Sequence, residues 1–187
     1  MSEFSQSYHL VSDSTDEGVE LLKRAGLRGW VFEPGNGWVT LLIRPDEYGE
    51  PNKTLIGANT GTLLYYLNAE DHGWTFSVFR RNEVACAYGC SWEDAIEVEE
   101  TELNMNVLEG IIAANVPDQA REAVVALDRL LHPESFEHLT AYFAHTEGNN
   151  PGHGFAEIMG LQHFHWLSTH YMELDEGSWP APVTAVS

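Results

Sequence analysis

Residues 8–44 read YHLVSDSTDEGVELLKRAGLRGWVFEPGNGWVTLLIR, and their pattern predicts a strand, a helix and a hairpin in that order. The tetrad Ser14–Glu17 has the form of a capping box, in which a hydroxyl and a carboxylate satisfy free backbone N–H groups at a helix start. Apolar residues then recur at helical spacing until Gly26, a typical helix terminator. The loop Pro34–Gly37 supplies the fixed or positive φ angles that a hairpin requires. The segment therefore predicts a β-α-β-β unit.

Residues 53–90 show a second pattern of the same kind. We predict a strand at 54–57, a helix at 59–67 and a hairpin after them. A Gly-Trp-x-Phe sequence begins the hairpin of each segment, at Gly29 and at Gly73. We interpret the two segments as a degenerate internal repeat of two β-α-β-β units that form an antiparallel sheet. Chance likeness between two ordinary hairpins is the alternative.

Beyond the second segment the composition changes, and helical patterns replace strand patterns. Residues 91–102 form an acidic connector, and residues 103–160 carry apolar stripes at helical spacing with prolines at helix starts. Residues 161–175 are predicted to be a closing strand or helix, because their spacing fits both, and a tail follows from Gly177. The sequence thus predicts one α+β domain over residues 1–187, with a helical C-terminal part.

Charge is the strongest global feature of the composition. The chain has 29 acidic and nine basic residues, which gives a formal net charge of −20 at pH 7. Such a chain is expected to avoid nucleic acids and anionic membranes, and it suits a protein partner with a basic surface. Because the acidic residues are spread along the whole chain, a general effect on solubility or a trait of the lineage is the competing explanation.

The N-terminus shows no basic region followed by an apolar block, and no apolar run approaches the roughly 20 residues that cross a bilayer. We therefore expect a cytoplasmic protein. The two cysteines, Cys86 and Cys90, lie too far apart for a disulfide if they share one strand, since their Cα atoms would be about 13 Å apart. They are predicted to be buried free thiols.

The familiar catalytic signatures are absent from the sequence. It contains no Gly-x-x-x-x-Gly-Lys-Ser/Thr phosphate loop, no Gly-x-Gly-x-x-Gly and no Gly-x-Ser-x-Gly. The spacing of Cys86 and Cys90 fits neither a zinc site nor a thioredoxin-type pair. These absences disfavour ATP-dependent or NAD-dependent chemistry, and they favour a protein that is not an enzyme.

Histidines are concentrated late in the chain, where seven of the nine follow residue 131. If the segment near the C-terminus is a strand, His163 and His165 point to one face of it. A third ligand would come from His153, Glu157 or His145. Imidazole and carboxylate suit zinc or another divalent metal ion. Ordinary packing within an aromatic-rich segment and a pH-sensitive surface are the alternatives.

Three functions from different classes fit these observations, and the motifs point to no known family. The leading hypothesis is a bacterial protein-binding module of the immunity or inhibitor type with a basic partner. The second is a metal-dependent hydrolase or small-ligand sensor built on the C-terminal histidines and aromatic residues. The third is a structural subunit of a homo-oligomer that uses exposed aromatic residues as its interface.

Overall fold

Strands of one sheet and the helices around them make up the structure, a computed structural model that describes residues 2–92, 95–99, 102–136, 139–144, 150–174 and 183–187. The strands are β1 (Phe4–Val11), β2 (Arg28–Phe32), β3 (Trp38–Arg44), β4 (Thr62–Ala69), β5 (Gly73–Arg80), β6 (Glu83–Ser91), β7 (Glu97–Glu99) and β8 (Val183–Val186). The helices are α1 (Thr15–Ala25), α2 (Lys53–Ala58), α3 (Met105–Asn115), α4 (Ala120–Leu130), α5 (Leu139–Ala144), α6 (Pro151–Ile158) and α7 (Thr169–Leu174), with 3-10 turns at Pro117–Gln119 and Pro133–Ser135. The predicted α+β class is confirmed.

All eight described strands form a single antiparallel sheet in the order β7-β6-β5-β4-β1-β3-β2-β8. Strands β1 and β4 join the two predicted segments, with Phe4 opposite Ala69 and Leu10 opposite Leu63. Helices α1 and α2 pack on one face of the sheet. Helices α3, α4 and α6 pack on the other face, against β4, β5 and β6. The predicted helical C-terminal part is therefore confirmed.

The first segment has the predicted β-α-β-β order. Helix α1 begins after Ser14 and ends at Gly26, whose φ of 66° lies in the left-handed region that glycine adopts without a steric cost. The Ser14 side chain makes no capping hydrogen bond, so the expected capping box does not form. Gly18 faces the sheet, where a Cβ atom would lie 2.8 Å from a methyl group of Val31, so its missing side chain lets α1 approach closely.

The second segment corrects the prediction, because its first strand and helix are exchanged. Residues 54–57 lie in α2, whose start is capped by the Asn52 side chain, and residues 62–69 form β4 instead of a helix. Leu64 and Tyr66 face one core of the protein, while Leu63, Tyr65 and Leu67 face the other. A strand buried on both faces reads as a continuous apolar run, which periodicity alone does not distinguish from a helix.

The two Gly-Trp pairs have the same backbone geometry. Gly29 has a φ of 159° and Gly73 a φ of 150°, and a Cβ atom at either would collide with a carbonyl oxygen of the neighbouring strand. Trp30 and Trp74 follow them on hairpin strands, on the sheet face opposite α1 and α2. The strand order differs, however: it is β1-β3-β2 in the first segment and β4-β5-β6 in the second. An origin by duplication stays a prediction.

The C-terminal region also departs from the prediction. His163 and His165 lie in the irregular connection between α6 and α7, where His163 has a positive φ of 54°, so the strand interpretation of this segment is wrong. The predicted tail includes β8, which pairs with β2 and so completes one edge of the sheet. None of the described helices has the length and apolar character that a membrane crossing needs.

Candidate metal centre

The connection 161–168 separates the two histidines that the sequence placed together. His163 stacks on Phe32 with ring centroids 4.9 Å apart. His165 packs instead against His153, with ring centroids 4.1 Å apart. Glu157 is exposed on α6, and His145 lies outside the described residues. Of the predicted ligands, the fold therefore brings together His153 and His165.

Glu3 is the third member of this cluster. Among the described residues, one group of three metal-ligating side chains converges, namely Glu3, His153 and His165, and their ligand atoms all lie within 4.8 Å of one another. Glu3 precedes β1, His153 lies on α6, and His165 lies in the connection to α7. No sequence pattern indicates Glu3, because the residue is 150 positions from the nearest histidine of the group and becomes adjacent to it only through the sheet.

Glu3 is held as a carboxylate by three donors. One oxygen accepts hydrogen bonds from the Ser5 hydroxyl at 2.6 Å and from the Trp166 backbone N–H at 2.8 Å. The other lies 3.0 Å from Nε2 of His153. Burial alone would raise the pKa of Glu3, but hydrogen bonds from His153, Ser5 and Trp166 outweigh it, so the pKa lies below its usual value. The group thus favours the ionised form that a metal ion needs.

His153 is fixed by the first turn of α6. Its backbone N–H donates to Oδ1 of Asn150, the N-cap residue, at 3.3 Å, and Pro151 occupies the first helical position. The side-chain amide nitrogen of Asn68 lies 3.3 Å from the same Nε2 atom and can donate to it only when Nε2 carries no proton, so the contacts with Glu3 and with Asn68 belong to different tautomers of His153. Backbone capping and side-chain contacts together therefore fix the imidazole in place.

His165 completes the cluster from its exposed side. Burial lowers its pKa, and the neighbouring His153 lowers it further, although Glu3 acts in the opposite direction. The net shift favours the neutral imidazole, the form that coordinates a metal ion. The three groups thus combine an ionised carboxylate with two imidazoles, a ligand set found in zinc sites and in other divalent metal sites.

A second polar cluster has the geometry of a nucleophile and a base. Ser7 Oγ lies 2.9 Å from Nε2 of His9, and Thr40 Oγ1 lies 3.2 Å from its Nδ1. Thr40 donates to the Gln162 carbonyl at 2.8 Å, so it accepts from Nδ1–H, and Ser7 then donates to Nε2. All three side chains of the Ser7, His9 and Thr40 network are completely buried. Because a substrate has no access to it, we interpret the network as structural.

The cysteines also lack the surroundings of a reactive site. Cys86 and Cys90 are both free and buried, as predicted. Burial raises the pKa of both thiols, that of Cys90 to about 11. A thiol with a raised pKa is a poor nucleophile and a poor metal ligand at neutral pH. These residues therefore serve the core between the sheet and the C-terminal helices.

Comparison with known proteins leaves the cluster as the main guide to function. No family model matches the sequence, and neither the curated proteins nor the solved structures contain a significant match to the chain.

Proposed function

We propose that the protein binds a divalent transition-metal ion through Glu3, His153 and His165 and uses it as a hydrolase or a small-ligand sensor. The observation that carries the proposal is the convergence of three ligand atoms, within 4.8 Å of one another, from three distant parts of the chain. Three protein ligands leave at least one coordination position for water or substrate, which is the pattern of catalytic rather than structural zinc.

The surroundings of the cluster support an open site. Glu3 and His153 line a surface pocket of about 440 Å³, a volume within the range of small-molecule sites. The His153 side chain is only 12% exposed and that of Glu3 only 4%, while His165 is exposed. A metal ion there would be partly shielded from water and still reachable from the pocket.

A structural ion pair is the competing explanation. The contact between Glu3 and His153 alone would tie the start of β1 to α6 without any metal ion. This ion pair needs Glu3 and His153 but does not need His165. A metal site needs all three, so removal of the third imidazole distinguishes the two explanations.

The experiment compares metal content in four forms of the protein, each purified without chelator and analysed by elemental mass spectrometry and zinc titration calorimetry. We expect wild type and His163→Ala to bind one equivalent of metal ion. We expect Glu3→Gln and His165→Ala to lose it, since each removes one ligand. His163→Ala is the matched control, because this imidazole stacks on Phe32 and is not part of the cluster. Equal zinc binding by His165→Ala and wild type would refute the proposal.

We also propose a second function, the binding of a basic protein partner, on the basis of charge. The net charge of −20 supports it, as do Glu97 and Glu99, which are exposed on the edge strand β7. Both lie opposite small residues of β6, Ser91 and Gly89, so a partner could approach the sheet closely at this edge. Calorimetric titration with a lysine-rich peptide tests the second function. We expect the peptide to bind wild type and to bind Glu97→Gln/Glu99→Gln more weakly. Equal affinity for the two proteins would contradict a role of β7 in partner binding.

A further inference from the structure

The pocket beside the metal cluster is bounded by carboxylates at one end. Glu70 and Asp71 follow β4 in the turn to β5, and both line the pocket with Glu3. The Glu3 backbone N–H donates to the Glu70 carboxylate at 2.8 Å, and the Ser2 hydroxyl donates to the Asp71 carboxylate. Pairing between β1 and β4 therefore sets the positions of both acidic side chains before a ligand arrives.

The charge of the pocket is not balanced by its own residues. Three carboxylates line it, and among the described residues around it there is no lysine or arginine. A divalent ion held by Glu3 would offset two of these negative charges and leave one. The pocket thus suits a ligand group with a single positive charge.

Aromatic side chains form a further part of the pocket lining, beside Asn150, Pro151 and His153. Trp92 and Phe143 meet edge to face with ring centroids 5.0 Å apart, and both line the pocket. Trp166 lies on another side, with a positive φ of 47° and a 43% exposed side chain. Its backbone N–H donates to Glu3, so the metal ligand also fixes this wall. Aromatic rings beside carboxylates are the surroundings in which proteins bind alkylammonium groups.

We propose that this pocket binds a small organic cation, an alkylammonium compound, with Glu70 and Asp71 facing its charge and Trp166 its methyl or methylene groups. The inference deepens the proposed function by naming a ligand class, and it rests on the metal site only for the charge balance. The ligand's other end would lie toward His153 and the metal ion.

The test is calorimetric titration with choline. The neutral probe is the alcohol of the same shape in which a carbon atom replaces the nitrogen of choline, so that only the charge differs. We expect saturable choline binding and affinity for the neutral alcohol weaker by about tenfold or more, because cation recognition requires the charge. Glu70→Gln/Asp71→Asn and Trp166→Ala are each expected to weaken choline binding by about tenfold. The control Glu109→Gln/Asp118→Asn removes two exposed acids outside the pocket and should bind as wild type does.

Each titration is run on chelator-treated and on zinc-loaded protein, which separates the two proposals. Choline binding without zinc binding would leave the cation pocket standing and refute the metal site. Zinc binding without choline binding would support the metal site and refute the cation pocket. Equal affinity for choline and the neutral alcohol, or unchanged choline affinity in Glu70→Gln/Asp71→Asn, would overturn the inference.

Discussion

At the scale of single residues, His9 links the buried polar network to the pH dependence of stability. Burial, with a smaller contribution from His163, lowers its pKa from 6.5 to about 3. Between pH 6.5 and about pH 3, the unfolded chain binds a proton at His9, whereas the folded chain keeps this imidazole neutral. Stability supplied by the neutral imidazole is therefore complete above pH 6.5 and is lost as the pH falls toward about 3, by up to about 1.4 kcal/mol per pH unit.

His9→Asn should remove this contribution. We expect the free energy of unfolding in urea to fall less steeply between pH 6.5 and pH 3 in the variant than in wild type. Parallel curves for His9→Asn and wild type would show that the imidazole titrates normally in the folded protein.

At the scale of elements, the glycine before each hairpin tryptophan fixes how closely two strands approach. Gly73→Ala would combine an unfavourable φ with a collision against the Cys90 carbonyl, and we expect a loss of about 3 kcal/mol or more. Gly57→Ala is the matched control: it lies in α2, and a Cβ atom there has no neighbour within 4 Å, so a gain of up to about 1 kcal/mol is expected. Urea unfolding measures both, and an equal effect of the two substitutions would contradict the strand-contact argument.

At the scale of the whole molecule, the net charge of −20 predicts a dependence of stability on salt. Repulsion among surface carboxylates weakens as the Debye length falls from about 30 Å at 0.01 M to about 3 Å at 1 M salt. We expect the melting temperature, followed by circular dichroism, to rise with sodium chloride over this range. A flat curve would mean that the acids are balanced locally, and it would favour a dedicated acidic binding face over general repulsion.

The candidate site was only partly predictable from the sequence. The concentration of histidines late in the chain predicts His153 and His165 as ligands. A strand would add His163, but residues 161–168 form an irregular connection in which His163 has a positive φ. Glu3 is not predictable from local sequence, since its proximity to the histidines results from the central position of β1 in the sheet.

The sequence by itself determined the features that depend on neighbouring residues: the β-α-β-β order of the first segment, the helix end at Gly26, the hairpins and the helical C-terminal part. Only the tertiary structure decided that residues 62–69 form a strand, because burial on both faces removes the alternation by which a strand is recognised. It also decided that Glu3, His153 and His165 converge. Ligands drawn from a strand start, a helix and a connection meet through long-range pairing, and no local pattern in the chain encodes that pairing.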